Sequence, residues 1–185
     1  MIKMTTLFKK DENDLSLVIN EVNIENEWVY GDNVKATRKF DGTASAIING
    51  ELYKRYDAKK GKSVPIGAIP CQEPDVITGH YPHWVKCDRD NPNDKYHFMA
   101  FDVLSEKIDG TYELCGEKIQ GNPEKITGFK LIKHGSEEVR LKSYSFEDIK
   151  EYLSDKSNDI EGIVFHNMVD GRMCKIRKSD FGVKR

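Results

Sequence analysis

The sequence has no apolar run approaching membrane-spanning length, and its start (Met1-Ile2-Lys3-Met4-Thr5) lacks the apolar core of a secretion signal. A helical membrane span and export are therefore not expected, and a cytoplasmic location is. There is no Cys-x-x-Cys pair; Cys71, Cys87, Cys115 and Cys174 are read as free thiols. Structural zinc sites favour tight paired spacings that the segment holding Cys71, His80, His83 and Cys87 lacks. Basic residues are not in excess, with 29 Lys and Arg against 31 Asp and Glu. That balance argues against avid, sequence-independent nucleic-acid binding, which is driven by phosphate neutralisation. It leaves room for a local basic groove, since Lys and Arg cluster at 54–62 and at 172–185. No repeat or low-complexity segment appears. What remains, 38% hydrophobic and 32% charged over 185 residues, suits one globular domain able to bury a core.

Local patterning predicts an α+β fold built from antiparallel sheets with flanking helices. Asn49-Gly50 lies between two β-prone runs, the strongest short hairpin signal. A two-residue loop there sets Ile48 opposite Glu51 and Arg55 opposite Ala44, returning Arg55 toward Lys39-Phe40-Asp41-Gly42. Residues 63–92 hold Pro65, Pro70, Pro74, Pro82 and Pro92, and are expected to be loop-rich. Tyr96 to Leu104 reads as a buried strand, and Tyr112-Glu113-Leu114 as a short one ended by Gly116. Ser145 is a good N-cap for a helix to about Leu153, with Phe146, Ile149 and Leu153 on one face. A second hairpin turns around Asp170-Gly171 and makes Glu161–His166 and Cys174–Arg177 neighbours, with a loop of two to five residues. The first 27 residues are polar and mixed, a possible N-terminal appendage.

Lys39 is the candidate nucleophile. A lysine attacks phosphorus only as the neutral amine, so its site must offset an ordinary pKa near 10.4. Asp41 is spaced to orient ribose or backbone, and Gly42 permits close backbone approach to a nucleotide. Lys-x-Asp-Gly alone reads first as a turn before a strand, and the rest of the chain shifts that reading. Transfer of a nucleoside monophosphate also needs a base pocket, a ribose anchor, a metal-binding carboxylate and cations for the phosphates. Arg55, Phe101, Glu113 and Glu161 are candidates for these roles, and Lys175 with Arg177 share one face if they lie in a strand. His80, His83 and Trp84 are read as packing and turn groups. His166 either faces the site or caps a strand. Lys54 to Lys62 is a solvated face or a contact for RNA phosphates.

The order Lys39-Phe-Asp-Gly, Phe101-Asp, Glu161-Gly-Ile-Val-Phe and Lys175-Ile-Arg resembles motifs I, III, IV and V of the covalent nucleotidyltransferases, the ligases and mRNA capping enzymes. Thr78-Gly-His-Tyr-Pro-His-Trp84 and Tyr112-Glu-Leu-Cys-Gly-Glu-Lys-Ile-Gln-Gly-Asn-Pro123 look more like the small stand-alone ATP-dependent RNA ligases. The resemblance runs from about Trp28 to Phe181. It implies a lysine–AMP intermediate formed from ATP with Mg2+ or Mn2+, and RNA substrates with 5′-phosphate and 3′-hydroxyl ends. By position, it gives Lys39 the AMP, Arg55 the ribose or RNA phosphate, Phe101 the adenine, Glu113 and Glu161 ribose or metal, and Lys175 with Arg177 the α-phosphate. Thr43-Ala44 stands where DNA ligases and capping enzymes carry an Arg, and Lys175-x-Arg177 replaces their usual Lys-x-Lys. Both departures favour the RNA-ligase reading. A single nucleotidyltransferase domain over 1–185, without a C-terminal OB domain, is expected. The alternatives are a capping-type guanylyltransferase, a DNA ligase, and a non-catalytic module that binds RNA ends.

Overall fold

Asn49 and Gly50 take φ of 53° and 75°, the sign a type I′ hairpin turn requires at both positions. The Asp109 carboxylate accepts both of their N–H groups, at 2.7 and 3.0 Å. Pairing begins at Ile48–Glu51, as the turn chemistry predicts, and runs to Ser45–Lys54, one step short of the expected Ala44–Arg55 pair. This hairpin is the centre of the first of the two compact units into which the chain divides.

The computed structural model describes residues 4–58, 63–75 and 79–185. Residues 59–62, the end of the lysine-rich stretch, and Thr78 lie outside them. In chain order the elements are β1 (Thr5–Thr6), β2 (Phe8–Lys10), β3 (Val18–Val22), β4 (Val34–Lys39), β5 (Thr43–Ile48), β6 (Glu51–Ala58), β7 (Ile69–Pro70) and β8 (Tyr81–Lys86). They continue with α1 (Lys95–Asp102), β9 (Gly110–Gly116), β10 (Phe129–Lys133), α2 (Phe146–Ser154), β11 (Gly162–Asn167) and β12 (Met173–Arg177). Short 3-10 turns cover Ile24–Tyr30, Pro92–Asp94 and Lys178–Phe181. Antiparallel sheets with few helices are thus what the structure shows. No described helix is long and apolar enough to cross a membrane.

Asp41–His134 form one unit. Its six-stranded sheet has the order β10-β9-β5-β6-β8-β7, antiparallel throughout. Ile47, Leu52, Tyr112, Leu114 and Leu131 from the sheet pack with Ala100 and Phe101 of α1. The expectation of a buried strand over Tyr96–Leu104 is corrected by α1. Its buried residues are His97, Ala100 and Phe101, the i, i+3, i+4 spacing of one helix face. A short apolar run satisfies either period, and tertiary packing decides it here.

Met4–Phe40 and Gly135–Arg185 form the other unit. Its main sheet has the order β1-β12-β11-β4, with β1 parallel to β12 and the other pairs antiparallel; β2 and β3 make a separate ribbon. Ile163, Phe165, Cys174 and Ile176 are wholly buried on one sheet face, alternating with the residues of the opposite face as strands require. Ser145 caps α2 by accepting the Asp148 N–H at 3.2 Å, and Ile149 and Leu153 enter the core. Leu7, Phe8 and Val18, from the stretch expected as an appendage, lie in this same core. Truncating Phe165 to Ala should cost about 3–5 kcal/mol of stability, read as a lowered urea midpoint of the full-length chain.

Candidate functional site

Across three neighbouring strands of the two-segment unit, Gly162 pairs with Lys39 on one side and Arg177 on the other. Two strand spacings separate the Lys39 and Arg177 Cα atoms by roughly 10 Å, with both side chains on one sheet face. Lys175 shares that face, two residues from Arg177, as expected. Gly162 is where the strands close most tightly: a Cβ there would lie 2.2 Å from the Ile176 carbonyl oxygen and 2.8 Å from the Arg177 Cα. The loop just before β11 brings Glu161 round so that its Oε2 pairs with Lys39 Nζ. Both side chains are about one-fifth exposed, so the pair opens to solvent.

The electrostatics here favour an anion. Lys39, Lys175 and Arg177 outnumber the carboxylates Glu161 and Asp180. Lys175 is held below the ordinary lysine range, first by burial and then by the Arg177 and Lys39 charges, against the pull of Glu161 and Asp180. Asp180, fully buried, was not singled out from the sequence and anchors the group. It accepts Arg177 Nη2 at 2.9 Å, the Arg177 backbone N–H at 2.8 Å and Lys10 Nζ at 2.7 Å. Burial would raise its carboxyl, but the hydrogen bonds from Arg177 and Lys10 prevail and lower it. The side-chain hydrogen bond to Asp180 holds the Arg177 guanidinium above its usual range. His166 donates to or accepts from Thr37 Oγ1 at 2.8 Å, joining β11 to β4.

The inserted unit holds the remaining candidates. Gly42 donates its N–H to Glu113 Oε1 at 3.1 Å, and the Asp41 N–H goes to Glu124 Oε1 at 2.9 Å. The close backbone approach expected of Gly42 is made to β9, where a Cβ would meet the Leu114 carbonyl oxygen at 2.2 Å. Glu113 Oε2 pairs with His134 Nε2 at 2.8 Å, and the other ring nitrogen lies 3.0 Å from Thr111 Oγ1. Glu124 and His134 were not identified from the sequence, because only the fold brings them to Asp41 and Glu113. Arg55 pairs with Asp57 at 2.9 Å, which also faces His80 at 3.2 Å. Phe101 is 7% exposed, edge-on to Phe98, with Lys107 Nζ over its ring at 5.0 Å. His83 lies 2.8 Å from the Tyr81 carbonyl oxygen through Nδ1 and is buried, as is Trp84.

The donor chemistry can be tested against the groups the resemblance implies. A hard divalent ion takes oxygen ligands, and Glu161 supplies a partly exposed carboxylate at the mouth of the basic cluster. Each Glu113 oxygen has one hydrogen-bond partner, the Gly42 N–H or His134, and keeps further lone pairs. A phosphate matches Lys39, Lys175 and Arg177 by charge.

No protein-family model matches the chain. It is similar to RNA ligase 1 of Pongo abelii, at 27% identity over 190 residues, covering 82% of this chain and 58% of that protein. It is also similar to RNA ligase 1 of Mus musculus, at 26% identity over 161 residues, covering 70% of this chain and 46% of that protein. The chain spans about half the length of these relatives.

Asp180→Asn leaves Arg177 and Lys10 facing a neutral amide. The expected loss is about 2–3 kcal/mol, below the roughly 3–5 kcal/mol of a fully buried pair because both cations keep some solvent contact. Folded Asp180 releases its proton at lower pH than the unfolded chain does, so its contribution is complete above about pH 4. It drains as pH falls through the lowered folded value. In urea titrations from pH 7 to 3, the gap between wild type and variant should therefore narrow as the pH falls below about 4.

Proposed function

We propose that this chain is an ATP-dependent RNA ligase whose nucleophile is Lys39. The observation that carries the reading is the Lys39–Glu161 pair set in one row with Arg177 and beside Lys175, on three strands that the chain brings together from both ends. The two RNA ligase 1 relatives support the same reading.

In the first step the Lys39 amine attacks the α-phosphorus of ATP. The N–P bond forms as the bond to pyrophosphate breaks, and the amine proton leaves to Glu161 or to solvent. Lys175 and Arg177 neutralise charge developing on the α-phosphate oxygens, an electrostatic role worth most where water is partly excluded. Mg2+ or Mn2+, held by Glu161, supplies Lewis acidity toward the phosphates when bound. A 5′-phosphate oxygen of RNA then attacks the same phosphorus and Lys39 departs, leaving an AMP-capped 5′ end. Attack by the 3′-hydroxyl on the RNA phosphate expels AMP and forms the phosphodiester.

The resemblance gives Asp41, Gly42, Arg55, Phe101 and Glu113 nucleotide contacts, with Glu113 a second metal candidate. The adenine stack on Phe101 is the role its burial supports least. Glu113 is favoured as an orienting group for the Gly42 backbone.

With radiolabelled ATP and Mg2+ or Mn2+, wild type should take a covalent label that survives denaturing electrophoresis. Lys39→Ala should take none. Label from GTP alone would establish a capping-type enzyme, and no label from either would leave a module that only binds RNA ends. Glu161→Ala should cut labelling on the order of a hundredfold with an unchanged urea midpoint. A globally unfolded Glu161→Ala would instead make that carboxylate structural.

A further inference from the structure

Cys87, Asp94 and His97 stand apart from the chemistry above, within the inserted unit. Cys87 follows β8, Asp94 ends the turn that leads into α1, and His97 lies three residues on, in the first turn of α1. A ligand atom from each, Cys87 Sγ, an Asp94 oxygen and a His97 ring nitrogen, falls within 4.8 Å of the others. All three side chains are buried, His97 to 8% exposure and Asp94 to 1%. Both His97 ring nitrogens are buried without a hydrogen-bond partner among the described residues. Leaving such a group unsatisfied is unfavourable, so the ring is placed at a cost that its present surroundings do not recover.

We propose that Cys87, Asp94 and His97 form a binding site for one divalent ion of the zinc class. Ligand atoms around tetrahedral zinc lie roughly 3.3–3.8 Å apart, so a small contraction of the cluster completes the geometry. A thiolate with an imidazole selects zinc or cobalt over magnesium, which separates this site from the oxygen chemistry of Glu161. On binding, the Cys87 thiol gives its proton to solvent as the sulfur–metal bond forms. Thiolate and carboxylate then balance the two charges of the ion. Asp94 now pairs with Lys54, and its other oxygen accepts the Asp88 N–H at 3.0 Å. Lys54 is one-quarter exposed and can turn to solvent when the ion takes its place. The fourth position falls to water. The bound ion would staple the end of β8 to the first turn of α1. The cysteine–histidine run expected to lack zinc spacing is not the group assembled, since His80 and His83 have other partners and only Cys87 joins the cluster.

The test uses the full-length chain, stripped with chelator and titrated with Co(II), then loaded with zinc. One Co(II) per chain should bind with a thiolate charge-transfer band, and zinc should raise the melting temperature. Cys87→Ser and His97→Gln, checked for folding by circular dichroism, should both lose the band. Zinc-edge X-ray absorption of the wild type, which needs no variant, should show one sulfur among nitrogen and oxygen ligands. A wild type that binds neither ion at micromolar concentration overturns the proposal, and leaves the cluster a core compensated by Lys54. So does a band that persists in both variants, or a zinc shell with no sulfur or more than one.

Discussion

The pairing of β11 with β4 on one edge and β12 on the other is the constraint on which the candidate site depends. It joins residues from opposite ends of the chain and fixes their register, so Lys39, Gly162 and Arg177 fall in one row. Once the row is set, alternation puts Lys175 on the polar face and Ile163, Phe165 and Ile176 in the core. The burial of that apolar face stabilises the sheet, and the sheet holds the charges in place. Slipping β11 by one residue would turn Phe165 outward and lose the core together with the site.

The same tightness explains two glycines of the resembling motifs. At Gly42 and at Gly162 the space for a Cβ is taken by the carbonyl oxygen of a neighbouring strand. Each requirement is one of strand packing, independent of what binds. The candidate side chains stand beside them: Lys39 and Glu161 are partly exposed, whereas Asp180 is buried and holds Arg177 in place.

Much of this was legible locally. Asn49-Gly50 determined its hairpin to the residue because the turn allows only one register. Ser145 and the spacing of Phe146, Ile149 and Leu153 defined α2, and Asp170-Gly171 brought Glu161–His166 beside Cys174–Arg177. Tyr96–Leu104 was misread because an apolar run of that length fits strand or helix until its packing partner is known. The pairing of β4 with β11 spans more than a hundred residues and leaves no mark in either segment. The partners Glu124, His134 and Asp180 are invisible for the same reason: a carboxylate or imidazole has no local signature of which distant N–H or ring it will meet. Asp180, three residues past Arg177 at a helical turn, carried the one faint signal, that of a capping pattern.

The interruption of one unit by the other has a consequence for how the chain folds. Residues 41–134 form a contiguous stretch, and every strand partner in their sheet lies within it, from the β5–β6 hairpin to the longer-range pairing of β5 with β9. That unit can begin to form as it leaves the ribosome. The other is split in two, and β4 must wait for β11, the strand it pairs with in the sheet. Until the last quarter of the chain is made, Leu7, Phe8 and Ala36 have no finished core, so the interval between synthesis of Lys39 and synthesis of its strand partners is when this protein is most exposed to aggregation and most in need of chaperones.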